Sequence, residues 1–344
     1  MPLSDIEGRP RTLAHLRSAV TGGRVHHAYL FAGPPGVGKA RAAVRFAQGL
    51  NCDVSPEGCG RCESCRHIEK GTHPDVITLQ PEGSEGGSTE VGASREIKVN
   101  QIRVLCGTLQ LAPVQARRKV AILLNADRMN IAGQNALLKT LEEPPPQTTL
   151  VLVTDADDRL LSTIRSRCVR IAFGPMPVAV LAQKLASEGM VPEEAKLRAS
   201  LARGSSSIAR KLDEAALHRR EELCGQLLRI LKLRGTGAEG SGAILEALDL
   251  AEVRSSDRER SLEALRSAAW YLRDALLVQG GTDLDIVNVD RLGDLRDVAS
   301  RVQAHELLSG LEALRRAITA IEGNGAPRLQ LEAAFLNLAG TVHA

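Results

Sequence analysis

AYLFAGPPGVGKARAAVRFAQGL, residues 28–50, is the stretch on which the fold turns. Ala28-Tyr29-Leu30-Phe31 is a short apolar strand. The glycine-rich Gly33-Pro34-Pro35-Gly36-Val37-Gly38-Lys39-Ala40 follows it, and residues 39–50 read as a helix. Strand, glycine loop and helix in that order form a phosphate loop (P-loop). Its backbone N–H groups and the helix N-terminus surround phosphate oxygens, while Lys39 reaches the terminal phosphates. Glycines are needed because the backbone must approach those oxygens closely. The eighth position departs from the pattern. A Ser or Thr hydroxyl there ligates Mg²⁺, and the methyl group of Ala40 cannot. Weak ATP or ADP binding and no binding stay equally open at this point.

Two further apolar runs lie downstream, at residues 120–124 (VAILL) and 150–153 (LVLV), both without alternation. Such runs suit strands covered on both faces of a parallel sheet. Between them residues 135–143 (NALLKTLEE) read as a helix ended by Pro144-Pro145-Pro146. The first half is therefore an α/β domain of the P-loop kind. The Gly/Ser-rich residues 81–94 read as a mobile excursion within it.

After Phe173-Gly174-Pro175-Met176-Pro177 the pattern is helical only, and the glycine-rich residues 234–242 read as a flexible linker. Beyond it Leu262, Leu265, Ala269, Leu272 and Leu276 repeat at helical spacing, as do Leu307, Leu311, Leu314, Ile318 and Ile321. These stripes predict the core of a helical bundle.

With 344 residues, two or three domains are expected. Aromatics make up only 2% of the chain, so its cores must be built from Leu, Ile, Val and Ala, which favours helices. A net charge of +3 permits a nucleic-acid partner without arguing for one, because a basic footprint requires clustering. No apolar run is long enough to span a bilayer, and residues 1–5 show no leader pattern. The seven cysteines are an odd number, with four crowded between Cys52 and Cys65, which points to a reducing cytoplasm and one metal site.

Cys52, Cys59, Cys62 and Cys65 have the spacing C-x6-C-x2-C-x2-C. Four thiolates close a tetrahedral Zn²⁺ site, and two-residue spacers let successive turns aim their sulfurs at one point. An iron–sulfur cluster is the rival. Zinc is favoured because Arg66 rather than Pro follows the last cysteine and the surroundings are polar. Arg61, Arg66 and Lys70 are placed to offset the negative Zn(Cys)₄ unit, and the site is expected to be structural. His67 reads as a surface residue, and Cys106, Cys168 and Cys224 as buried small hydrophobes.

Several segments resemble bacterial clamp-loader subunits of the AAA+ family. They are residues 27–31 running into the loop, Ile97-Lys98-Val99-Asn100-Gln101-Ile102-Arg103, residues 135–145, and Ser166-Arg167-Cys168, with residues 324–338 at the C-terminal end. The resemblance implies an AAA+ α/β P-loop domain over residues 1–174 with a zinc module inserted at about 51–67. It further implies an all-α lid at 175–234 and an all-α collar bundle at 243–344.

In the ATP-hydrolysing gamma/tau members of that family an Asp-Glu pair closes the strand before the 135–145 helix, and those positions here are Leu124 and Asn125. Asp127, the nearest acid, reads as a turn or capping residue. Thr154 matches the polar sensor position, and Ser207, in Gly204-Ser205-Ser206-Ser207, stands where the hydrolysing members carry an Arg. Arg167 survives as the arginine finger that reaches a neighbouring subunit's ATP; a basic surface strip with Arg165 and Arg170 is the plainer alternative.

The function implied is that of a subunit without ATPase activity of its own. It would help gamma/tau and delta subunits of the DNA polymerase III holoenzyme load the sliding clamp onto primer-template DNA in the bacterial cytoplasm. An active gamma/tau-type ATPase is the main alternative. A stand-alone zinc-bearing nucleic-acid binder is the second, and it lacks stacking aromatics and a concentrated basic run.

Overall fold

A computed structural model of the chain describes residues 10–81, 96–234, 237–282 and 285–340. The residues read for a leader (1–5) and nearly all of the Gly/Ser-rich stretch at 81–94 lie outside these. The chain divides into two units, Met1–Val180 with Gly204–Ser207, and Leu181–Arg203 with Ile208–Ala344.

The first unit runs α1 (Pro10–Thr21), β1 (Ala28–Ala32), α2 (Lys39–Asn51), α3 (Glu63–Lys70), β2 (Val76–Leu79), α4 (Val99–Leu109), β3 (Lys119–Leu123), α5 (Ile131–Glu142), β4 (Thr148–Thr154), α6 (Ser162–Arg165) and β5 (Val169–Ala172). The five strands form one parallel sheet in the order β2-β3-β4-β1-β5.

Strands β1, β3 and β4 are buried at every position, as their unalternated sequences require. Successive side chains point to opposite faces. Tyr29 and Phe31 join Phe46, Ala42 and Ala43 of α2 in one core, while Ala28 and Leu30 join Ile102, Leu105, Leu137 and Leu141 of α4 and α5 in another. The edge strands β2 and β5 escaped the sequence reading because they are short and half-solvated, with Arg170 exposed in the middle of β5. Helix α5 starts earlier than the reading had it, because Asn130 caps it by accepting the Gly133 N–H at 2.8 Å.

The remaining helices are α7 (Val178–Ser187), α8 (Pro192–Leu201), α9 (Ser206–Lys211), α10 (Glu214–Leu233), α11 (Gly237–Arg254), α12 (Arg258–Gln279), α13 (Leu292–Arg301), α14 (Ala304–Glu322) and α15 (Pro327–Leu338). The second unit is built from these, with α7 and α9 beginning in the first unit. Every residue of the two predicted stripes belongs to its core or packs against it. The centre of the α12 seam also holds small residues that the stripe passed over, Ala264, Ala268 and Ala275, beside Tyr271. Helix α10 contributes Leu223, Leu227, Ile230 and Leu231 to that same core, together with Ala243, Ala247 and Leu250 of α11. The 234–242 stretch is largely helical rather than a linker, since α11 already begins at Gly237 and its alanines pack closely on α10. No helix among the described residues is long and apolar enough to cross a membrane.

Asp75, fully buried just before β2, joins β2 to the turn that precedes β3. Its carboxylate accepts the backbone N–H groups of Val114 (2.8 Å), Gln115 (2.7 Å) and Ala116 (2.8 Å). Burial by itself would raise its pKa, but these three donors and nearby His73 outweigh burial and hold the carboxyl below the ordinary carboxylate value. The folded pKa thus lies below the unfolded one of about 4. The resulting stabilisation is complete above that unfolded value and is lost as the pH falls through the folded one. Asp75→Asn should cost about 1–3 kcal/mol at neutral pH, because it strands buried donors. Urea denaturation should show this deficit shrinking as both proteins are taken below the unfolded carboxylate's value of about 4 and on toward the lower folded one.

Candidate functional site

The P-loop leaves the carboxyl end of the central strand β1, where Ala32 lies opposite Thr154 of β4 and Ala172 of β5. Gly33 is required there by packing, since a Cβ would sit 2.0 Å from the Phe173 carbonyl oxygen. Gly36 and Gly38 adopt positive φ values of 72° and 89°, and Gly38 caps α2. Lys39 does not extend into solvent. Its Nζ donates to the carbonyls of Gly33 and Pro34 and to Asp155 Oδ1, each at 2.6 Å, and the residue is only 4% exposed. An ammonium has three donors, so all of them are engaged within the chain.

The strand ends beside the loop carry little of the chemistry that ATP hydrolysis needs. Leu124 continues β3, donating its N–H to the Leu79 carbonyl and packing on the core, and Asn125 is exposed with φ 53°. Asp127 does more than the expected turn or capping role. Its side chain is 6% exposed, and Oδ1 accepts the Thr154 hydroxyl at 2.9 Å. Thr154 therefore faces a carboxylate of its own chain. Ser207 donates its backbone N–H to the Gly36 carbonyl at 3.4 Å, so the Gly204–Ser207 turn borders the loop. Gly204 has no space for a side chain either, as its Cβ would lie 1.9 Å from the Met176 carbonyl oxygen.

Arg167 is half-buried just beyond α6. Its guanidinium pairs with Glu142 at the end of α5 (2.7 Å) and donates to the Thr163 carbonyl (3.0 Å). Arg165 and Arg170 are exposed, and Arg170 is paired with Asp157 at 2.7 Å. Asp155 and Glu142, which engage the two key cations, were missed in the sequence. Asp155 lies 116 residues from Lys39, and nothing local to either residue signals the pairing.

Among the described residues the four cysteines form a group of ligand atoms all within 4.8 Å of one another. Tetrahedral Zn–S bonds of about 2.3 Å place sulfurs about 3.8 Å apart, and the Cys52 and Cys62 sulfurs are 3.9 Å apart. Backbone N–H groups of Ser55 and Cys59 point at the Cys52 sulfur, that of Cys62 at Cys59, and that of Cys65 at Cys62, at 3.3–3.4 Å. The N–H donors of Arg61 and Cys62 draw the Cys59 thiol down to about 6. These are features of a thiolate cage, and the residues fit the metal.

The module is fastened to α2, where buried Gln48 donates to the Cys65 carbonyl (2.7 Å) and Arg45 pairs with Glu69 (2.6 Å). His67 is outside the sulfur group. Cys224 is buried as expected. Cys106 and Cys168 are only half-buried, and the apolar packing around Cys168 still pushes its thiol up to about 12.

Residues 8–177 match the family model described as DNA polymerase III, delta subunit. The chain is 28% identical over 316 residues to DNA polymerase III subunit delta' of Bacillus subtilis, covering 90% of this chain and 91% of that protein. It is 38% identical over 179 residues to subunit delta' of Pseudomonas aeruginosa, covering 51% and 52% of the two. To subunit tau of Salmonella typhimurium it is 36% identical over 184 residues, which is 53% of this chain and 27% of the relative. The chain thus spans most of the first relative but only about half of the second and about a quarter of the third. The chain is thus similar to the delta' and tau subunits of bacterial DNA polymerase III, over most of its length for one delta' relative and over about half of it for the others.

Proposed function

We propose that this chain is a delta'-type clamp-loader subunit that does not hydrolyse ATP. It assists gamma/tau and delta subunits in loading the sliding clamp onto primer-template DNA in the bacterial cytoplasm. Arg167 acts as an arginine finger on a neighbouring subunit's ATP, and Cys52, Cys59, Cys62 and Cys65 hold one structural Zn²⁺. The observation that carries the reading is the engagement of Lys39. Its donors are turned onto Gly33, Pro34 and Asp155, while Ala40, Leu124, Asn125 and Ser207 supply no Mg²⁺ hydroxyl, acidic pair or phosphate-contacting Arg. A nucleotide entering the loop would have to displace three hydrogen bonds and would find no metal ligand at Ala40.

An active gamma/tau-type ATPase is the second reading, and the carboxylates Asp127 and Asp155 beside Thr154 favour it. Against it, Asp155 is spent on Lys39 and Asp127 on Thr154. The purified chain should therefore show no steady-state ATP turnover above background, with or without DNA and clamp. Turnover that vanishes in Lys39→Ala would establish the second reading instead.

Zinc removal supplies an independent check. Metal analysis should find one Zn²⁺ per chain and no iron or sulfide. Because metal binding and local folding are coupled, Cys62→Ser should lose the metal and loosen residues 51–67 to proteolysis, while the sheet domain still melts cooperatively.

For Arg167 the expected effect lies in the assembly. An arginine finger contributes about 10³–10⁵ in rate where it is the main charge stabiliser, diluted here by ATP sites that have other fingers. Arg167→Ala should leave folding and zinc content unchanged but lower clamp loading and part of the complex's ATPase rate. Arg167→Lys should rescue poorly, since an ammonium lacks the planar fork. Full activity of a complex reconstituted with Arg167→Ala would reduce this residue to a surface charge paired with Glu142.

A further inference from the structure

In the second unit, α10, the end of α11 and the start of α12 enclose a recess of about 190 Å³ lined by Arg219, Arg220, Arg254, Arg260, Glu263 and Ser267 together with apolar side chains. Four guanidinium groups thus face one carboxylate in its wall. The side chains of Arg220 and Arg254 are each only 10% exposed, so their charges lie in a medium of low polarity.

The guanidinium groups are unevenly satisfied. Arg220 forks onto Asp290 (2.7 and 2.8 Å) and also donates to Asn288. Arg254 reaches Glu222 and the Arg219 carbonyl at 3.3 and 3.2 Å. Among the described residues Arg219 is paired with Glu263 alone, at 3.9 Å, and Arg260 lies 3.3 Å from Asp257. The carboxylates Glu222, Glu263 and Asp257 are about half exposed, at 51%, 47% and 48%. Solvent-exposed pairs of this kind contribute little. The Nε groups of Arg219, Arg220 and Arg254 are buried with no hydrogen-bond acceptor among the described residues. A buried donor left unsatisfied is destabilising, and all three belong to residues lining one recess.

We infer that this recess is a binding site for one phosphoryl group. Guanidinium forks match the oxygens of phosphate. A phosphoryl group carries a charge of about −1.5 to −2 near neutral pH, which suits several converging cations better than a single carboxylate does. Free phosphate or a phosphorylated small molecule would supply it, and so would a phosphate of a nucleic-acid strand. All of its lining residues belong to the second unit, and none is a residue of the P-loop.

The test is calorimetric titration of the full chain with inorganic phosphate, against acetate at matched ionic strength, followed by 5′-phosphorylated and unphosphorylated single-stranded oligonucleotides. Phosphate should bind and acetate should not. Arg219→Ala, at a half-exposed residue that leaves the core untouched, should weaken phosphate by about tenfold, as loss of a charge-assisted hydrogen bond does. The double change Arg219→Ala with Arg260→Ala should abolish it, whereas Lys39→Ala should leave it unchanged. Oligonucleotide that displaces phosphate and loses its own affinity in Arg219→Ala identifies a nucleic-acid source. Phosphate binding without such displacement identifies a small anion. Equal response to phosphate and acetate, binding indifferent to Arg219→Ala in a protein of unchanged melting temperature, or binding lost in Lys39→Ala would overturn the inference.

Discussion

Strand β1 lies between β4 and β5, and the chain leaving it passes so close to the end of β5 that only glycine fits at position 33. That contact, a missing Cβ against the Phe173 carbonyl, aligns the loop above the strand ends and presents Lys39 to whatever closes β4. The register of Ala32 with Thr154 then brings Asp155 to the lysine and Asp127 to the threonine. The arrangement of the strand ends follows from parallel pairing of three buried strands. The same buried pairing joins the helices on both faces into the cores that support it.

The loop thus engages its lysine in contacts within the chain. A loop with φ values suited to cradle an anion is kept, while its lysine is neutralised by a carboxylate of the same chain. With one partner 4% exposed and the other 38%, the pair is neither fully buried nor freely solvated. A competing phosphate would have to separate it in a medium less polar than water. Arg167 is held in a milder way, by a half-exposed Glu142 and one carbonyl. An exposed ion pair of that kind exchanges partners at little cost. The two cations therefore differ in availability, and the difference comes from burial rather than from residue type.

The cysteine module and the helical unit obey separate constraints. The sulfurs of the module accept backbone N–H groups, and Gln48 of α2 holds the module by donating to the Cys65 carbonyl. The core of the helical unit is built mainly of leucine and alanine, in keeping with the scarcity of aromatic residues in the chain. One consequence is that arginines on three adjoining helices crowd around a recess with few acceptors inside it.

The sequence by itself determined the strand, loop and helix at residues 28–50, the unalternated strands, the four sulfurs at closing distance and the helical stripes of the C-terminal half. Each depends on short-range geometry: the period of a strand or helix, the permissiveness of glycine, the reach of a two-residue turn. Only the tertiary structure decided that Lys39 meets Asp155, that Arg167 meets Glu142, that α10 shares a core with α11, and that four arginines border one recess. Those outcomes follow from which strands and helices become neighbours. That choice is made by burying whole apolar faces, and residues 116 positions apart carry no mark of it in their local sequence.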